Sequence, residues 1–365
     1  MQKKLRQRIN WTNTIFLLLT PIVGIGGLIF ILTTGVLHWQ TVLLSLFWLI
    51  ASGLSITAGY HRLFAHRTYR ANVLVRLFFI LMGAAAFEGS VLEWSTDHRN
   101  HHRYTDTDRD PYDIKKGFWY AHIGWLFVLE TELRDYSNVE DLSADPLIRF
   151  QHKYFSYIAI VVGFVFPTLL ALLWGDPLGG LLIAGVFRTV LNQHFTFCIN
   201  SVCHIFGKRT YSAEQSARDN WMTAFFTYGE GFHNFHHQFP IDYRNGIRAY
   251  HYDPSKWLIW GLSRVGLASD LKQVPLSRLM RYRLRKDEQT LSAVWVYVSE
   301  HLTPVRDQIL RLLAQIEKIE TSGKMKEYHA QLKAARMELK DSLLVWSRLT
   351  KRFARNDEFF RVTNQ

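Results

Sequence analysis

Nine of the sixteen histidines in this chain of 365 residues gather in four short stretches, and any fold must bring those stretches together or leave the clustering without a cause. They are His61 and His66; His98, His101 and His102; His204 by itself; and His233, His236 and His237. On a helix, His98 shares a side with His101 at i,i+3 and with His102 at i,i+4. His101 and His102 stand about 100° apart around the axis, so one such box can serve two adjacent ions. Crowded imidazoles repel when protonated and lose hydration when buried, so close repeats call for a metal. A tetrahedral zinc site takes four ligands and leaves the rest unused. Two ions with four or five nitrogens each use all nine. His38, His122, His152, His194, His251, His301 and His329 stand alone and read as surface or satisfied core positions.

The mean hydropathy is close to zero, but the average hides segregation. Four apolar runs, ~13–36, ~41–59, ~155–174 and ~178–199, are long enough to cross a hydrocarbon core of ~30 Å. They pair into two hairpins, whose turns at Leu37–Gln40 and Gly175–Pro177 carry no Lys or Arg. Lys3, Lys4, Arg6 and Arg8 precede the first run, which reads as a retained span with a cytoplasmic start. The stretch from His61 to Lys153 holds twelve Lys or Arg and belongs on the same side. Both hairpins then return their histidines to one membrane face. A further apolar run, ~72–92, must not span, because His98 would then emerge opposite His61. It is expected as an interfacial helix with Arg76 and Glu88 near its ends.

The remaining sequence completes an all-α membrane protein. A cytosolic helical cap is expected at ~200–275, closing a domain of 1–275 that holds the histidine-rich dimetal site. Beyond it, Val305, Ile309, Leu312, Ile316 and Ile319, then Leu332, Ala335, Leu339, Leu343 and Trp346, recur at helical spacing. The segment 276–365 therefore reads as a helical hairpin with its turn at Thr321-Ser322-Gly323. Both termini and the site fall on the cytoplasmic side of a multi-pass chain. The net charge of +12 has no nucleic-acid-binding motif beside it and fits anionic headgroups instead. Cys198 and Cys203 cannot build a disulfide framework, and Cys198 reads as a packing residue.

Imidazole alone does not choose among zinc, iron and copper. A paired iron site at a bilayer surface suits O2-dependent attack on an unactivated alkyl chain, whose C–H bonds offer a general base nothing to remove. Metal-bound imidazoles usually donate their other N–H to oxygen. The carboxylates near the boxes are Asp97, Glu230, Glu93, Asp106, Asp108, Asp110 and Asp219. Asn200 lies at i−4 from His204 and can hold a metal-bound water. Arg188 and Asn192, inside the fourth run, need an explanation: either the helix ends project into the cap, or Arg188 meets a carboxylate or a headgroup.

These motifs resemble the membrane fatty acyl desaturases of the stearoyl-CoA Δ9 type. The family pattern His-x4-His, His-x2-His-His, Asn-x3-His and His-x2-His-His is met in order by His61/His66, His98/His101/His102, Asn200/His204 and His233/His236/His237. Flanking strings match as well: Gly59-Tyr60-His61-Arg62-Leu63, Asp97-His98-Arg99, Asp110-Pro111, His122-Ile123-Gly124-Trp125, Asn200-Ser201 and Gly229-Glu230-Gly231-Phe232-His233-Asn234. The resemblance covers roughly 40–275. It implies four spans, a cytosolic di-iron centre ligated by the nine histidines with Asn200 acting through water, and a bent acyl tunnel. Trp94 and Thr196 match positions at the tunnel bend, and Gly59 borders its closed end. The resemblance further implies that O2 and two electrons are consumed per cis double bond, placed at C9–C10. Thr96 stands where animal acyl-CoA members usually carry an arginine that contacts the CoA head, so the thioester carrier stays open among CoA, acyl carrier protein and lipid. With no His-Pro-Gly-Gly string, electrons are expected from a separate ferredoxin, rubredoxin or cytochrome b5 type donor with its reductase.

Two other readings share the boxes. A membrane fatty-acid or alkane hydroxylase makes the same first hydrogen abstraction, and the flanks with the Asn200/His204 pair favour desaturation over it. A non-enzymatic membrane metal-binding protein would place its ligands near the bilayer midplane, whereas these boxes lie at helix ends.

Overall fold

A computed structural model describes residues 8–129, 134–292, 295–322 and 327–363. The chain is mostly helical. Its only paired strands among the described residues are two short antiparallel pairs, Arg8–Ile9 with Val128–Leu129 and Arg70–Ala71 with Ala268–Ser269. Residues 1–208 with 215–273 form one compact unit, and 274–365 with 209–214 a second.

In the first unit, α1 (Trp11–Thr34), α2 (Trp39–Ala65) and a third helix at Phe155–Trp174 are long and apolar enough to cross a bilayer. Their surfaces say the same. Ile22 is 68% exposed and Leu173 81% exposed, in company with Leu18, Leu46, Phe47 and Leu169. Contiguous apolar surface of that kind is suited to lipid rather than to water. The second helix runs six residues past the expected end of its span. Its last eleven residues, Ser55–Ala65, are π-helical and wholly buried, so His61 rides on a helix rather than on a loop after one.

The run expected as one interfacial helix over ~72–92 is instead broken. α3 (Val73–Ala84) starts at Asn72, whose side chain accepts from Val75 N, and ends at Ala85. Twelve residues reach about 18 Å, well short of a bilayer. Phe87 at φ 57° and Gly89 at φ 94° then turn the backbone. Ser90 restarts it with a capping box, accepting from Glu93 N while the Glu93 carboxylate accepts from Ser90 N. This second helix, α4 (Val91–Tyr104), carries the whole second box. Phe118–His122 forms α5, Pro146–Lys153 forms α6, and Phe155–Trp174 is α7.

The fourth expected span, ~178–199, is helical from 177 to 205, with a π-helical stretch at Gly180–Phe187 followed by α8 (Arg188–Ile205). It does not join the three strongly apolar helices, because Arg188, Asn192, Gln193 and His194 interrupt its hydropathy. Where the sequence suggests a carboxylate or headgroup, the structure supplies Arg188 with backbone carbonyls. Its fully buried guanidinium donates to three backbone carbonyls, Ala184 O at 2.9 Å, Ala85 O at 2.7 Å and Gly163 O at 2.8 Å. It thereby ties α8 to the end of α3 and to the middle of α7.

Beyond Ile205 the first unit continues through α9 (Trp221–Phe226), α10 (His233–Gln238) and α11 (Pro254–Arg264). The second unit consists mainly of α12 (Leu276–Thr290), α13 (Trp295–Thr321) and α14 (His329–Thr363). Ile309, Leu312, Ile316 and Ile319 on α13, and Leu332, Ala335, Leu339 and Trp346 on α14, are buried. Trp346 Nε1 also donates to Asp287 Oδ2 at 3.0 Å. The expected turn residue Gly323 lies outside the described residues.

Candidate metal centre

The nine boxed imidazoles come together as two groups within the first unit. His61, His66, His98, His102 and His236 form one, and His101, His204, His233 and His237 the other. Within each group the ligand atoms lie within 4.8 Å of one another. The elements explain the split. His98 and His102 face one side of α4 while His101 turns about 100° away. On α10, His236 and His237 divide in the same manner, and His233 joins His237 at i,i+4. α2 brings His61 and, at its end, His66 to the first group; α8 brings His204 to the second.

The nitrogens converge through Nε2. His66 and His98 are 2.8 Å apart there, His61 and His236 2.9 Å, and His102 and His236 2.8 Å. In the second group His101 and His237 are 3.1 Å apart, His204 and His233 3.1 Å, and His233 and His237 3.0 Å. Burial, then repulsion among neighbouring imidazoles, holds His66, His98, His102, His233, His236 and His237 well below the usual histidine range. These side chains stay neutral and keep their lone pairs.

The outward nitrogens fix the tautomers. His61 Nδ1 lies 3.0 Å from Glu230 Oε2, and His101 Nδ1 lies 2.8 Å from Asp110 Oδ1. Ionised carboxylates can only accept, so both histidines carry the proton on Nδ1 and turn a bare Nε2 inward. Ser216 spends its single hydroxyl hydrogen on Asp106 Oδ1, so it accepts from His204 Nδ1 at 2.6 Å with the same result. Lone pairs facing one another at about 3 Å are stable only with cations between them. The donor set, all imidazole with oxygen partners behind it, fits two borderline metal ions.

Glu230 is itself held by an unexpected network. Burial would raise its pKa, but the Arg62 guanidinium and His61 outweigh burial and hold it below the usual range. Arg62 donates to Glu230 Oε1 at 2.8 Å, to Tyr243 O at 2.9 Å and to Asp253 Oδ2 at 3.2 Å. Asn245 Nδ2 donates to Glu230 Oε2 at 2.5 Å. Asp253 also accepts from Asn245 N, Gly246 N and Lys256 N. Arg62, Asp253 and Asn245 are all buried.

The other anticipated residues distribute as follows. Asp97 pairs with Arg134 at 3.1 Å. Glu93 completes the cap of α4, and Asp219 Oδ1 accepts from Phe235 N in the first turn of α10. Asp108 is exposed. Asn200 is half-buried on α8, one turn before His204. Trp94 stacks on His98 with ring centroids 4.8 Å apart and meets His61 edge-on at 5.9 Å. Thr196 reaches it through Glu88, donating to Oε1 at 2.9 Å while Trp94 Nε1 donates to Oε2 at 3.4 Å. Enclosure pushes the Glu88 carboxyl up to about 8, against the two hydrogen bonds that pull it down. At Gly59 a Cβ would come within 2.7 Å of Phe79 Cβ, so this glycine allows α2 and α3 to cross closely. Two isolated histidines are also paired: His122 meets Ser201 Oγ at 2.9 Å and His194 Nδ1 at 3.0 Å. Their contacts draw on α5 and α8, too far apart in sequence for spacing to announce them.

Residues 37–264 match the family model described as fatty acid desaturase. The chain is 45% identical over 287 residues to a protein of Schizosaccharomyces pombe named probable acyl-CoA desaturase, covering 78% of this chain and 59% of that one. It is 42% identical over 289 residues to acyl-CoA desaturase 1 of Saccharomyces cerevisiae, covering 78% and 56%. It is 37% identical over 274 residues to stearoyl-CoA desaturase 5 of Homo sapiens, covering 73% and 82%. The chain thus spans somewhat more than half the length of the two yeast relatives.

Proposed function

The chain belongs to the fatty acid desaturase family, and from that premise we propose that it is an O2-dependent acyl-CoA desaturase that places a cis double bond in a saturated acyl chain, at C9–C10. The observation that carries the reading is the sorting of nine imidazoles into groups of five and four beside long apolar helices. We take the nine histidines as ligands of two irons, with Asn200 acting through water. Two irons bound there supply the oxidising power that O2-dependent removal of hydrogen from an unactivated C–H bond requires.

The protein's own groups prepare that chemistry. Glu230, Asp110 and Ser216 hold protons at the outer nitrogens of His61, His101 and His204, so that Nε2 stays free. Trp94 makes an apolar wall against His98. Glu88 fixes Trp94 to Thr196, which sets the wall's angle where the acyl chain bends. Overall, –CH2–CH2– plus O2, two electrons and two protons give –CH=CH– plus two waters. The electrons come from a ferredoxin, rubredoxin or cytochrome b5 type carrier. The relatives' names speak for acyl-CoA over acyl carrier protein or lipid as the substrate.

The same reading has four spans, the helical run 177–205 being the fourth, with termini and imidazoles on the cytoplasmic face. The short α3 supports it, since 12 residues let His61 and His98 stay on one side. It also has a desaturase domain of 1–275 and an appended helical hairpin at 276–365. The test is expression in a host lacking unsaturated fatty acids, with gas chromatography and mass spectrometry of its acyl chains. A cis-Δ9 alkene is expected. A hydroxy-acyl product without alkene would instead assign the chain to the hydroxylases.

A further inference from the structure

We propose that the face made by Arg103, Tyr104, Arg109, Lys115, Lys116 and Tyr120 docks an acidic single-electron carrier protein, and that electrons enter the centre through the four-imidazole group. The proposal rests on the desaturase reading above, which requires two electrons per double bond.

Position comes first. The segment starts at the residue after His102 and folds over the second group. Its Asp110 holds His101, and its Asp106 holds Ser216, which holds His204. Ser216 N donates to the same Asp106 carboxylate at 2.7 Å, and Lys115 Nζ donates to Asp106 O at 2.5 Å. A chain of hydrogen bonds therefore runs from a surface lysine to a ligand of the second group. Tyr112 adds a ring contact to His101 at 4.6 Å.

The charge follows from how the segment folds. Residues 103–116 contain four basic and four acidic side chains and look neutral in sequence. Asp110 and Asp113 are buried at 3% and 2% exposure, and Asp106 faces Ser216. Arg103, Arg109, Lys115 and Lys116 are exposed, with Asp108 the one carboxylate exposed beside them. Their cations lie on aromatic planes: Arg109 sits 3.9 Å from the Tyr104 ring centroid, and Lys116 4.9 Å from that of Tyr120. A basic face with aromatic support steers an acidic partner by complementary charge. An anionic substrate headgroup would find the same charges. The carrier is favoured because the segment contacts the outer side of His101 and His204, whereas the acyl wall at Trp94 belongs to the other group.

The redox step balances: each docked carrier loses one electron, two dockings supply two, and these join the two electrons and two protons leaving the acyl chain. With two further protons they reduce O2 to two waters.

The test uses the full chain, iron-loaded, in zwitterionic lipid nanodiscs, with stopped-flow reduction by reduced cytochrome b5 or ferredoxin, and by dithionite in parallel. The Arg109→Glu/Lys116→Glu double variant should slow carrier-driven reduction about tenfold or more at low salt and flatten its salt dependence. Iron content and dithionite reduction should be unchanged. Arg109→Gln/Lys116→Gln should show a smaller loss of the same kind, and Arg264→Glu none. Unchanged carrier-driven reduction overturns the docking face. So does a rise in KM for acyl-CoA with carrier-driven reduction intact, which would assign the face to the substrate headgroup. A wild-type protein that holds no dithionite-reducible iron overturns the desaturase reading itself and the docking face with it.

Discussion

The two imidazole groups share helices yet are held in opposite ways. Behind the five-imidazole group lies a dry network of formal charges, Arg62 with Glu230 and Asp253, anchored on a loop about 190 residues away in sequence. Behind the four-imidazole group lie one surface-proximal segment and single contacts, Asp110 on His101 and Ser216 on His204. Among the described residues His233 Nδ1 and His237 Nδ1 have no hydrogen-bond partner, and in the first group His61 Nδ1 meets Glu230 only as a charge contact at 3.0 Å. The lesson is a division of labour. The first group is locked by the fold and borders the apolar wall at Trp94; the second is tied to a segment that also reaches solvent.

The largest break in that contrast is expected from Arg62→Leu. Glu230 and Asp253 would be left buried without their cation, and removing one partner of such a pair costs about 3–5 kcal/mol. The melting temperature in detergent should fall accordingly. His61 would lose its fixed acceptor, so iron should drop toward one per chain while the four-imidazole group keeps its ion. Full iron content with unchanged melting would show that the network is dispensable to the site.

Asp110→Asn should lower melting less than Arg62→Leu, because its one remaining oxygen can still accept from His101 and Tyr112 N while the contact from Asp106 N is lost. Retention of the ion in the four-imidazole group should weaken by about 10–100-fold, the usual cost of losing a carboxylate behind a metal-bound histidine. Chelator challenge followed by iron analysis measures it. Equal loss of both ions would contradict the separate support drawn here.

Much of this contrast was legible in the sequence, and the reasons are geometric. Spacing of three and four within a box places His98, His101 and His102 on a helix without any long-range information. The lengths of the apolar runs likewise mark three segments long enough to cross a bilayer. Arg62 was invisible as a keystone because its partners Glu230, Asp253 and Tyr243 O come from distant segments. Glu88 was hidden inside an apolar run that reads as one helix. The break at Phe87 and Gly89 rests on backbone dihedrals, which hydropathy does not encode. Arg188 invites a search for a carboxylate, yet three backbone carbonyls satisfy its guanidinium. Gly59 shows the converse. Its place in the family motif suggests a tunnel border, and the structure adds a close helix crossing at Phe79 that the motif does not announce.

The smallest effect sharpens the apolar side of the contrast, where Glu88 joins Trp94 to Thr196. The carboxyl is pushed up to about 8 by its enclosure, from an ordinary value near 4.5. Near neutral pH the folded protein keeps a proton there that the unfolded chain has given up. That contribution to stability is present in full below about 4.5 and is lost as pH rises through about 8. Glu88→Gln removes the titration and keeps an oxygen to accept from Thr196. The difference in melting temperature, variant minus wild type, should therefore grow in the variant's favour from about pH 5 to about pH 9. A difference that stays flat over that range would mean Glu88 is already ionised, with Trp94 and Thr196 held by a charge rather than by a neutral acid. The wall beside His98 would then be a polar boundary, and the contrast between an apolar group and a solvent-linked one would lose its clearest support.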